Sequence, residues 1–290
     1  MGVLRIGRGK VIVARQNTFL YHLFVILFGV IMIYPIIWMM ASSLKPNTAI
    51  FTEASSLLAS PVKWDNYAIG WRGFGNVGFD TFFLNSAFVT VLVVIGTLLS
   101  STTVAFGFAR LQFRLKTFFF VCLMVSMMIP MQVTMIPQYI LFDGLNWINS
   151  YKPLIVPAFF GGGPFFIFLI IQFIRGIPRE LDEAATIDGC STYGIFARII
   201  LPLCKPALVT ASIFAFMWTW DDFLGPLIYL NDTALYTVSL GLRMFSDPAA
   251  VTDWGAMFAM ATLSLLPQLL VFLFFQKFLV QGIATTGIKG

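Results

Sequence analysis

The sequence predicts an all-α, polytopic membrane protein with six transmembrane helices and one helical hairpin outside the bilayer. Hydrophobic residues make up 59% of the 290-residue chain, charged residues only 11%, and the mean hydropathy is +0.88. Soluble domains average about 45–50% apolar and about 25% charged residues. Apolar stretches of about 20 residues, long enough to cross a bilayer as helices, recur along the chain. The alternation of a barrel strand is missing, and unpaired backbone amides are too costly in hydrocarbon, so the spans are predicted to be helical.

This composition excludes a soluble enzyme, a disordered chain and a secreted disulfide scaffold. The net charge of +5 is spread too thinly for a nucleic-acid-binding protein, whose basic residues cluster on one face. Cys122, Cys190 and Cys204 match no metal spacing and are expected to stay reduced. His22 is the only histidine, so we expect no metal and no cofactor bound in this chain.

Six segments qualify, or nearly qualify, as spans: residues 19–41, 83–108, 117–141, 154–174, 207–230 and 255–279. The first is too long for the apolar region of a signal peptide and is followed by no small-residue cleavage site, so it is predicted to be retained. Residues 1–18 then form an N-terminal segment, residues 19–280 a transmembrane domain, and residues 281–290 a C-terminal tail.

The orientation follows from the basic residues in the connecting segments. Thirteen of the 18 Lys and Arg residues fall on one side, which the positive-inside rule assigns to the cytoplasm. Both termini are therefore predicted to be cytoplasmic, and segments 42–82 and 231–254 to be external.

The fourth span contains Gly161, Gly162 and Gly163 between Pro157 and Pro164. A continuous helix is not expected here, because Pro removes a backbone donor and Gly is a poor helix former. Two interpretations remain: a broken helix that lines a transport pathway, and a simple turn at the outer interface.

The cytoplasmic segment between spans four and five, residues 176–206, is predicted to be a helical hairpin, and is called the hairpin below. Pro178 suits a first helical position, and the acidic residues after it favour the positive end of the helix dipole. Gly189 provides the left-handed end of the first helix. Ser191 or Thr192 then caps a second helix. On physical grounds alone, this hairpin either lies on the membrane surface or packs on its own bundle.

The hairpin resembles the EAA loop of ABC importer permeases. The match is carried by Glu183, Ala184, Ala185, Asp188, Gly189 and Pro202. In that family the loop is the coupling helix that docks into a cleft of the cytosolic ATPase subunit. The resemblance therefore implies that ATPase coupling involves these six residues together with Tyr193 and Phe196 of the second helix.

Two further stretches resemble carbohydrate importer permeases. Residues Trp220–Leu227 resemble the W-N-D-F-L-x-P-L signature, although Asp221 stands where the family usually has Asn. The ending from Phe278 to Gly290 resembles the tail of the smaller, maltose-type second permease. The resemblance implies a type I ABC importer transmembrane domain in the bacterial cytoplasmic (inner) membrane, which translocates carbohydrate by alternating access.

The resemblance also implies partners. These are a homologous larger permease subunit, two cytosolic ABC ATPase subunits, an extracytoplasmic solute-binding protein, a sugar substrate and membrane lipid, with no nucleic acid. The chain lacks GxxxxGK[ST], so ATP and Mg are expected to be bound by the partner ATPase. Enzymatic activity of this chain alone is not expected. Its adjacent acids, Asp221 and Asp222, lie on one helix and cannot share a proton as the two carboxylates of an aspartyl protease do.

A candidate substrate path lies in span five. It comprises Trp218, Trp220, Asp221, Asp222 and Phe223. An ionised Asp costs about 2.5–3.5 kcal/mol at the bilayer centre on insertion scales, so it faces the bundle interior or a watery cavity, or is neutralised. One interpretation is that one carboxylate lines the path while the other braces a neighbouring helix. The other is that both only stabilise helix packing or a polar kink before Pro226.

Alternative functions remain at this stage. A secondary transporter or channel would explain the spans and the broken helix, but not the spacing in the hairpin. A structural or receptor subunit would move no substrate. The tail at 281–290 either reaches the ATPase pair, as the matching family tail does, or is a frayed end.

Overall fold

The computed structural model describes the backbone of residues 9–58, 60–161, 163–246 and 252–287. Side chains are described for residues 19–58, 60–161, 163–246 and 252–278. Within these ranges the chain is helical, and its only strand-like feature is an isolated bridge between Phe74 and Val77.

The helices fall into long bundle helices and short connecting helices. They are α1 Gly9–Ser42, α2 Asn47–Thr52, α3 Asp65–Arg72, α4 Phe79–Arg110, α5 Lys116–Met128, α6 Met131–Gly144, α7 Lys152–Phe159, α8 Pro164–Gly176, α9 Glu180–Ile187, α10 Thr192–Ile195, α11 Leu201–Leu203, α12 Lys205–Trp220, α13 Leu224–Tyr229, α14 Val238–Arg243 and α15 Trp254–Gly287. A π-helix over Phe196–Ile200 joins α10 to α11, and 3₁₀ turns flank α14 at Thr233–Leu235 and Met244–Ser246.

The all-α membrane fold is confirmed. Four stretches are long and apolar enough to span a membrane: Phe19–Ser42, Phe79–Arg110, Lys152–Gly176 and Trp254–Phe278. Two further spans are bent pairs: α5 with α6 at 103°, and the helical stretch Thr192–Leu203 with α12 at 72°. Counting each bent pair once gives up to six candidate spans, the predicted number, although the second pair begins at Thr192 in the hairpin and ends at Trp220, and so differs from the predicted span 207–230.

The third and fifth predicted spans are not continuous helices. Residues 117–141 break between Met128 and Met131, because Pro130 has no backbone N–H and holds Ile129 in an extended conformation. Residues 207–230 divide at Asp221, where α12 has ended and before α13 begins. Hydropathy alone does not show either break, since the segments on both sides are apolar.

The predicted break in the fourth span lies between α7 and α8. Gly161 adopts a left-handed conformation with φ +79°, and Gly162 lies outside the described residues. The last turn of α7 packs against the middle of α4: Ser100 Oγ donates to the carbonyl of Ala158 at 2.7 Å, and a Cβ on Gly96 would overlap the Phe159 ring. Contact with the middle of a spanning helix favours a broken helix within the bundle over a turn at the outer interface.

Helix α4 is the central helix, because it packs against α7, α8, α12 and α14. Two sets of buried apolar residues lie towards its two ends. The hairpin-end cluster consists of Ala105, Phe106, Ala109, Leu123, Ile167, Ile170, Ile171, Ile174, Ala185, Ile195, Ile200 and Cys204. The opposite-end cluster consists of Phe79, Phe82, Trp220, Val238, Phe245, Ala256, Ala259 and Met260.

The segment after α1 folds onto the start of α15. Asn47 accepts a hydrogen bond from the Gly255 N–H at 2.7 Å and donates to Asp253 Oδ1 at 3.1 Å. The buried Lys45 ammonium donates to the backbone carbonyls of Glu53 and Ser56, so its positive charge satisfies the open end of α2. Within residues 19–42, helix α1 leaves its apolar side chains largely outside the core of the chain.

A strained residue precedes α5. Leu115 has φ +64° and ψ +20° and is 61% exposed. A left-handed conformation costs a residue with a Cβ about 1–2 kcal/mol. We expect Leu115→Gly to stabilise the protein by about 0.5–1 kcal/mol, measured by denaturant unfolding in detergent, because part of the relieved strain is offset by the more flexible unfolded chain.

Leu111 provides the matched control for this substitution. It is also partly exposed, at 39%, but its φ of −83° and ψ of +151° suit any residue. Leu111→Gly is therefore expected to destabilise the protein. If both variants lose stability equally, strain at Leu115 is not relieved by glycine.

Candidate coupling site

The first helix of the hairpin forms as the sequence predicts. Helix α9 carries Glu180, Asp182 and Glu183 in its first turn, where the peptide dipoles favour negative charge. Pro178 does not occupy the first helical position predicted for it, because α9 begins at Glu180 and Arg179 lies between the two. The helix is short, so its position depends on packing and on its termini rather than on helix propensity.

The turn after α9 is a complete Schellman motif. Gly189 has φ +81°, its N–H donates to the carbonyl of Thr186 at 3.1 Å, and the Cys190 N–H donates to the carbonyl of Ala185 at 2.9 Å. A Cβ on Gly189 would meet nothing within 4 Å. The requirement for glycine therefore comes from the backbone conformation and not from crowding.

The second hairpin helix begins with a side-chain cap. Ser191 Oγ accepts from the Gly194 N–H at 3.2 Å, which decides between the two predicted cap residues. The chain then runs through the π-helix to Pro202, which is exposed in α11. Ile200 is fully buried and holds this part of the hairpin in the hairpin-end cluster.

The predicted coupling residues divide between two faces of the hairpin. Ala185 is only 7% exposed and packs in the hairpin-end cluster, and the Phe196 ring lies 5.0 Å from that of Phe106. Both face the subunit's own bundle. The exposed set is Glu183, Ala184, Asp188, Gly189, Tyr193 and Pro202.

Two large apolar side chains stand out on the exposed face. Ile187 is 87% exposed and Tyr193 is 85% exposed, one on each side of the Gly189 turn. Ile187 was not among the predicted site residues. The available signal was its position one residue before the Asp188–Gly189 pair, where an apolar side chain ends a short helix whose first turn is acidic.

The hairpin is fastened to the end of α4 by an ion pair. Arg110 Nε lies 2.7 Å from Oδ2 of Asp182, and the two side chains are only 5% and 18% exposed. Arg110 Nη2 also donates to the carbonyl of Ile177 at 2.8 Å. From the sequence, Arg110 indicates only the orientation of the chain in the membrane, and Asp182 only the N-terminal end of a helix. Their contact was therefore not predicted.

The tryptophans of the candidate substrate path have different environments. Trp218 is 52% exposed, and its ring centroid lies 5.1 Å from that of Phe165 and 5.3 Å from that of Phe166. These two phenylalanines follow directly after the break in the fourth span. Trp220 is 5% exposed, and its Nε1 donates to the carbonyl of Ser264 at 3.0 Å. Trp218 can therefore contact a ligand, whereas Trp220 joins α12 to α15.

The two adjacent aspartates also differ. Asp221 is exposed. Asp222 Oδ1 accepts from the Gly225 N–H at 3.1 Å, and the Asp222 carbonyl accepts from Ser239 Oγ. Asp222 therefore caps the short helix α13 and connects it to α14. Phe223 lies under the Arg243 guanidinium, 6.0 Å from it, beside an open cavity of about 340 Å³.

Asp222→Ala is expected to destabilise the permease by about 1 kcal/mol, because the cap on Gly225 is lost. Asp222→Asn keeps an acceptor oxygen and is expected to unfold close to the parent protein. Denaturant unfolding of the two variants in detergent measures this difference. Equal stability of Asp222→Ala and the parent would contradict the capping role.

A further positioning residue, Asn149, holds the turn between α6 and α7. Asn149 has φ +57°, its N–H donates to the carbonyl of Tyr229, and its Oδ1 accepts from the N–H groups of Asn231 and Asp232 at 3.0 and 2.9 Å. Asn tolerates this left-handed conformation. Burial, with a smaller effect of the Asp232 charge, raises the pKa of the nearby Tyr151 to about 12, so its hydroxyl stays protonated.

Within the described residues, no group of three or more His, Cys, Asp or Glu side chains could hold a metal ion. The described residues form a helical bundle with a broken span and an aromatic surface at that break. The hairpin is joined to α4 by the Arg110–Asp182 ion pair, and its apolar tip consists of the exposed Ile187 and Tyr193. These features are those of a polytopic membrane protein with a helical hairpin outside the spans.

Comparison with known proteins identifies the class. Residues 101–285 match the family described as binding-protein-dependent transport system inner membrane component. The chain belongs to this family. It is therefore a multi-pass permease of ABC importers in the inner membrane, and the family resemblance stated from the hairpin is confirmed.

Individual relatives extend over most of the chain. A probable ABC transporter permease of Bacillus subtilis, YurM, is 37% identical over 269 residues, which cover 92% of this chain and 87% of YurM. The arabinooligosaccharides transport permease AraQ of the same organism is 33% identical and covers 92% of this chain and 94% of its own length. The diacetylchitobiose uptake permease DasC of Streptomyces coelicolor is 29% identical, with 89% and 92% covered.

A solved structure shares the fold. The crystal structure of a bacterial ABC transporter involved in the import of the acidic polysaccharide alginate contains a chain that superposes with a TM-score of 0.78. The two are 20% identical, and the match covers 95% of this chain and 99% of the other. The comparisons give no support to an ATP-independent transporter or channel, and the family is one of permeases, not of enzymes.

Proposed function

We propose that this chain is the smaller, maltose-type permease subunit of an importer for a carbohydrate. Relatives that cover about nine-tenths of the chain are named for arabinooligosaccharides and diacetylchitobiose, which supports an oligosaccharide or related sugar as the substrate. The hairpin is the observation that carries the coupling role. Its fold follows the EAA pattern, and its apolar tip at Ile187 and Tyr193 has no cover from its own bundle.

The proposed partners are assigned to the cytoplasmic and external sides of the helical bundle. A homologous larger permease completes the translocation cavity, and two cytosolic ABC ATPase subunits, which bind the ATP and Mg, receive the hairpins. An extracytoplasmic solute-binding protein docks on segments 42–82 and 231–254. Both termini are proposed to be cytoplasmic, as the basic residues indicate.

The proposed mechanism is alternating access. ATP-driven closure of the ATPase pair displaces α9, and the helices packed on the hairpin-end cluster rotate with it because packed cores shift between discrete arrangements. Glu183 is exposed and available for polar contacts in the ATPase groove, while Gly189 maintains the turn. Residues 281–287 continue helix α15, and residues 288–290 lie outside the described residues.

The sugar path is proposed to pass Trp218 and Asp221. A half-exposed indole offers an apolar face for a sugar ring, and an exposed carboxylate accepts hydrogen bonds from hydroxyls. In this assignment Asp221 lines the path and Asp222 braces α13. Asp221→Asn is expected to alter transport rate or substrate range, and an unchanged rate and range in both Asp221→Asn and Asp222→Asn would remove the assignment.

The whole complex provides the test of the proposed function. The permease is purified with its co-purifying subunits, reconstituted with the binding protein, and screened for sugars that stimulate ATP hydrolysis. Stimulation by an oligosaccharide, with matching uptake into vesicles, is the expected result. An active permease that transports without any ATPase subunit would contradict the proposal.

A further inference from the structure

Arg110 is the last residue of α4, and its side chain reaches two successive parts of the hairpin. One nitrogen, Nη2, donates to the carbonyl of Ile177, in the segment between α8 and α9. Another, Nε, forms the 2.7 Å ion pair with Asp182, in the first turn of α9. A single guanidinium therefore contacts both the segment through which the hairpin leaves the bundle, by a hydrogen bond, and the first turn of α9, by opposite charge.

A second contact runs in the opposite direction. Arg179, directly before α9, extends its Nη2 to within 3.5 Å of the carbonyl of Ala109, in the last turn of α4. The two arginines thus connect the same pair of elements from both sides. Ala109 and Ala185 both belong to the hairpin-end cluster, and their small side chains provide little resistance to sliding on their own.

Burial makes the ion pair obligatory. The side chains of Arg110 and Asp182 are 5% and 18% exposed, and both Arg110 Nε and Asp182 Oδ1 are buried without a hydrogen-bond partner in the described part of the chain. The 2.7 Å approach of Nε to Oδ2 is therefore a contact between opposite charges and not a directional hydrogen bond. The Asp182 carboxylate therefore depends on Arg110 for compensation of its charge. A buried charge that loses its partner is strongly unfavourable, so the pair resists separation when the hairpin is displaced.

The other end of α4 holds the segment that follows the Trp220–Leu227 motif. Asn85 Nδ2 donates to the carbonyls of Ala234 and Tyr236 at 2.8 and 3.0 Å, and Ser86 Oγ accepts from the Val238 N–H at 2.8 Å. One continuous helix therefore connects the hairpin to the loop on the opposite side of the bundle.

We propose that Arg110 and Asp182 are positioning residues that join the coupling helix to α4, so that displacement of the hairpin is transmitted along α4 to residues 234–238. This inference rests on the proposed function and specifies the route of coupling within it. It assigns neither residue a contact with ATP or substrate.

The experiment uses the reconstituted complex and measures three quantities: the ATPase subunits that co-purify, substrate-stimulated ATP hydrolysis, and uptake per ATP hydrolysed. The variants are Asp182→Asn, Arg110→Gln, the swapped pair Arg110→Asp with Asp182→Arg, and the apolar pair Arg110→Leu with Asp182→Leu. Glu180→Gln and Arg114→Gln are matched controls, because both residues are exposed near the same elements.

The single variants are expected to retain the ATPase subunits and to lose about tenfold in uptake per ATP, which is within the range of allosteric coupling. The swapped pair is expected to recover part of this loss, and both controls are expected to couple like the parent. The apolar pair removes the buried charges without leaving either unpaired, so it is expected to assemble yet remain poorly coupled.

Normal coupling in Asp182→Asn, or full coupling in the apolar pair, would overturn the inference, because the ion pair would then have no role beyond folding. These outcomes are separate from failure of the proposed function. If the parent permease transports without ATPase subunits, the coupling assignment itself fails before any variant is compared.

Discussion

Gly189→Val is expected to abolish ATP-dependent uptake while leaving the membrane bundle folded. The Gly189 backbone has φ +81° and forms the turn between the two hairpin helices. A residue with a Cβ pays about 1–2 kcal/mol in this conformation, and a β-branched residue such as Val pays more. Relaxation out of the left-handed region breaks the hydrogen bonds from Gly189 and Cys190 to α9 and redirects the apolar tip.

A graded series at Gly189 isolates the backbone effect. Because a Cβ at this position meets nothing within 4 Å, the loss of uptake is expected to follow the left-handed propensity of the residue and not its size. Asn is larger than Ala but tolerates the conformation better, so Gly189→Asn is expected to retain more uptake than Gly189→Ala. Normal uptake in Gly189→Val would count heavily against the coupling assignment.

Replacing the apolar tip is expected to release the ATPase subunit. The two side chains, which are 87% and 85% exposed, lose their apolar surface in the double variant Ile187→Asp with Tyr193→Ala. The Asp introduced at position 187 also places a negative charge against the ATPase surface that is expected to receive the apolar tip. Loss of a central interface residue typically costs about 2 kcal/mol or more, so affinity is expected to fall at least about thirtyfold. Co-purification of the ATPase and a binding titration in detergent measure this.

Leu58→Asp is the matched control for the tip. Leu58 is 82% exposed but lies in the predicted external segment 42–82. The same change in polarity is expected to leave ATPase binding unchanged there. If Ile187→Asp with Tyr193→Ala binds the ATPase as tightly as the parent and Leu58→Asp do, the tip is not the docking surface.

The hairpin was predictable because its signals are local. Gly189 and Ser191 act on their immediate backbone, so the left-handed end of α9 and the cap of the next helix follow from capping rules alone, whereas Pro178 lies two residues before α9 and not at its first position. The direction of each side chain was less accessible. Ala185 and Phe196 match the motif or its helical spacing, yet both face the bundle, since their burial is decided by α4 and α8.

Contacts distant in the sequence could not be predicted from it. Arg110 and Asp182 are 72 positions apart, and neither position has an unusual local pattern. Similarly, Asn149 accepts from the backbone N–H groups of Asn231 and Asp232, and helices α7 to α13 lie between these residues in the sequence. The six-span count was accessible from hydropathy, whereas the bend at Pro130 was not, because an apolar window averages over a single proline.

Cross-linking at Ile187 tests the coupling assignment most directly. A permease in which the free cysteines Cys122, Cys190 and Cys204 are replaced receives a single new cysteine by Ile187→Cys. In the assembled complex this thiol is labelled with a benzophenone maleimide, whose ketone inserts into a neighbouring C–H bond on illumination and therefore needs no second cysteine. A cross-link to the ATPase subunit is predicted for Ile187→Cys and not for Leu58→Cys. Cross-links from Ile187→Cys that reach only the permease's own helices, in a complex that hydrolyses ATP, would contradict the account.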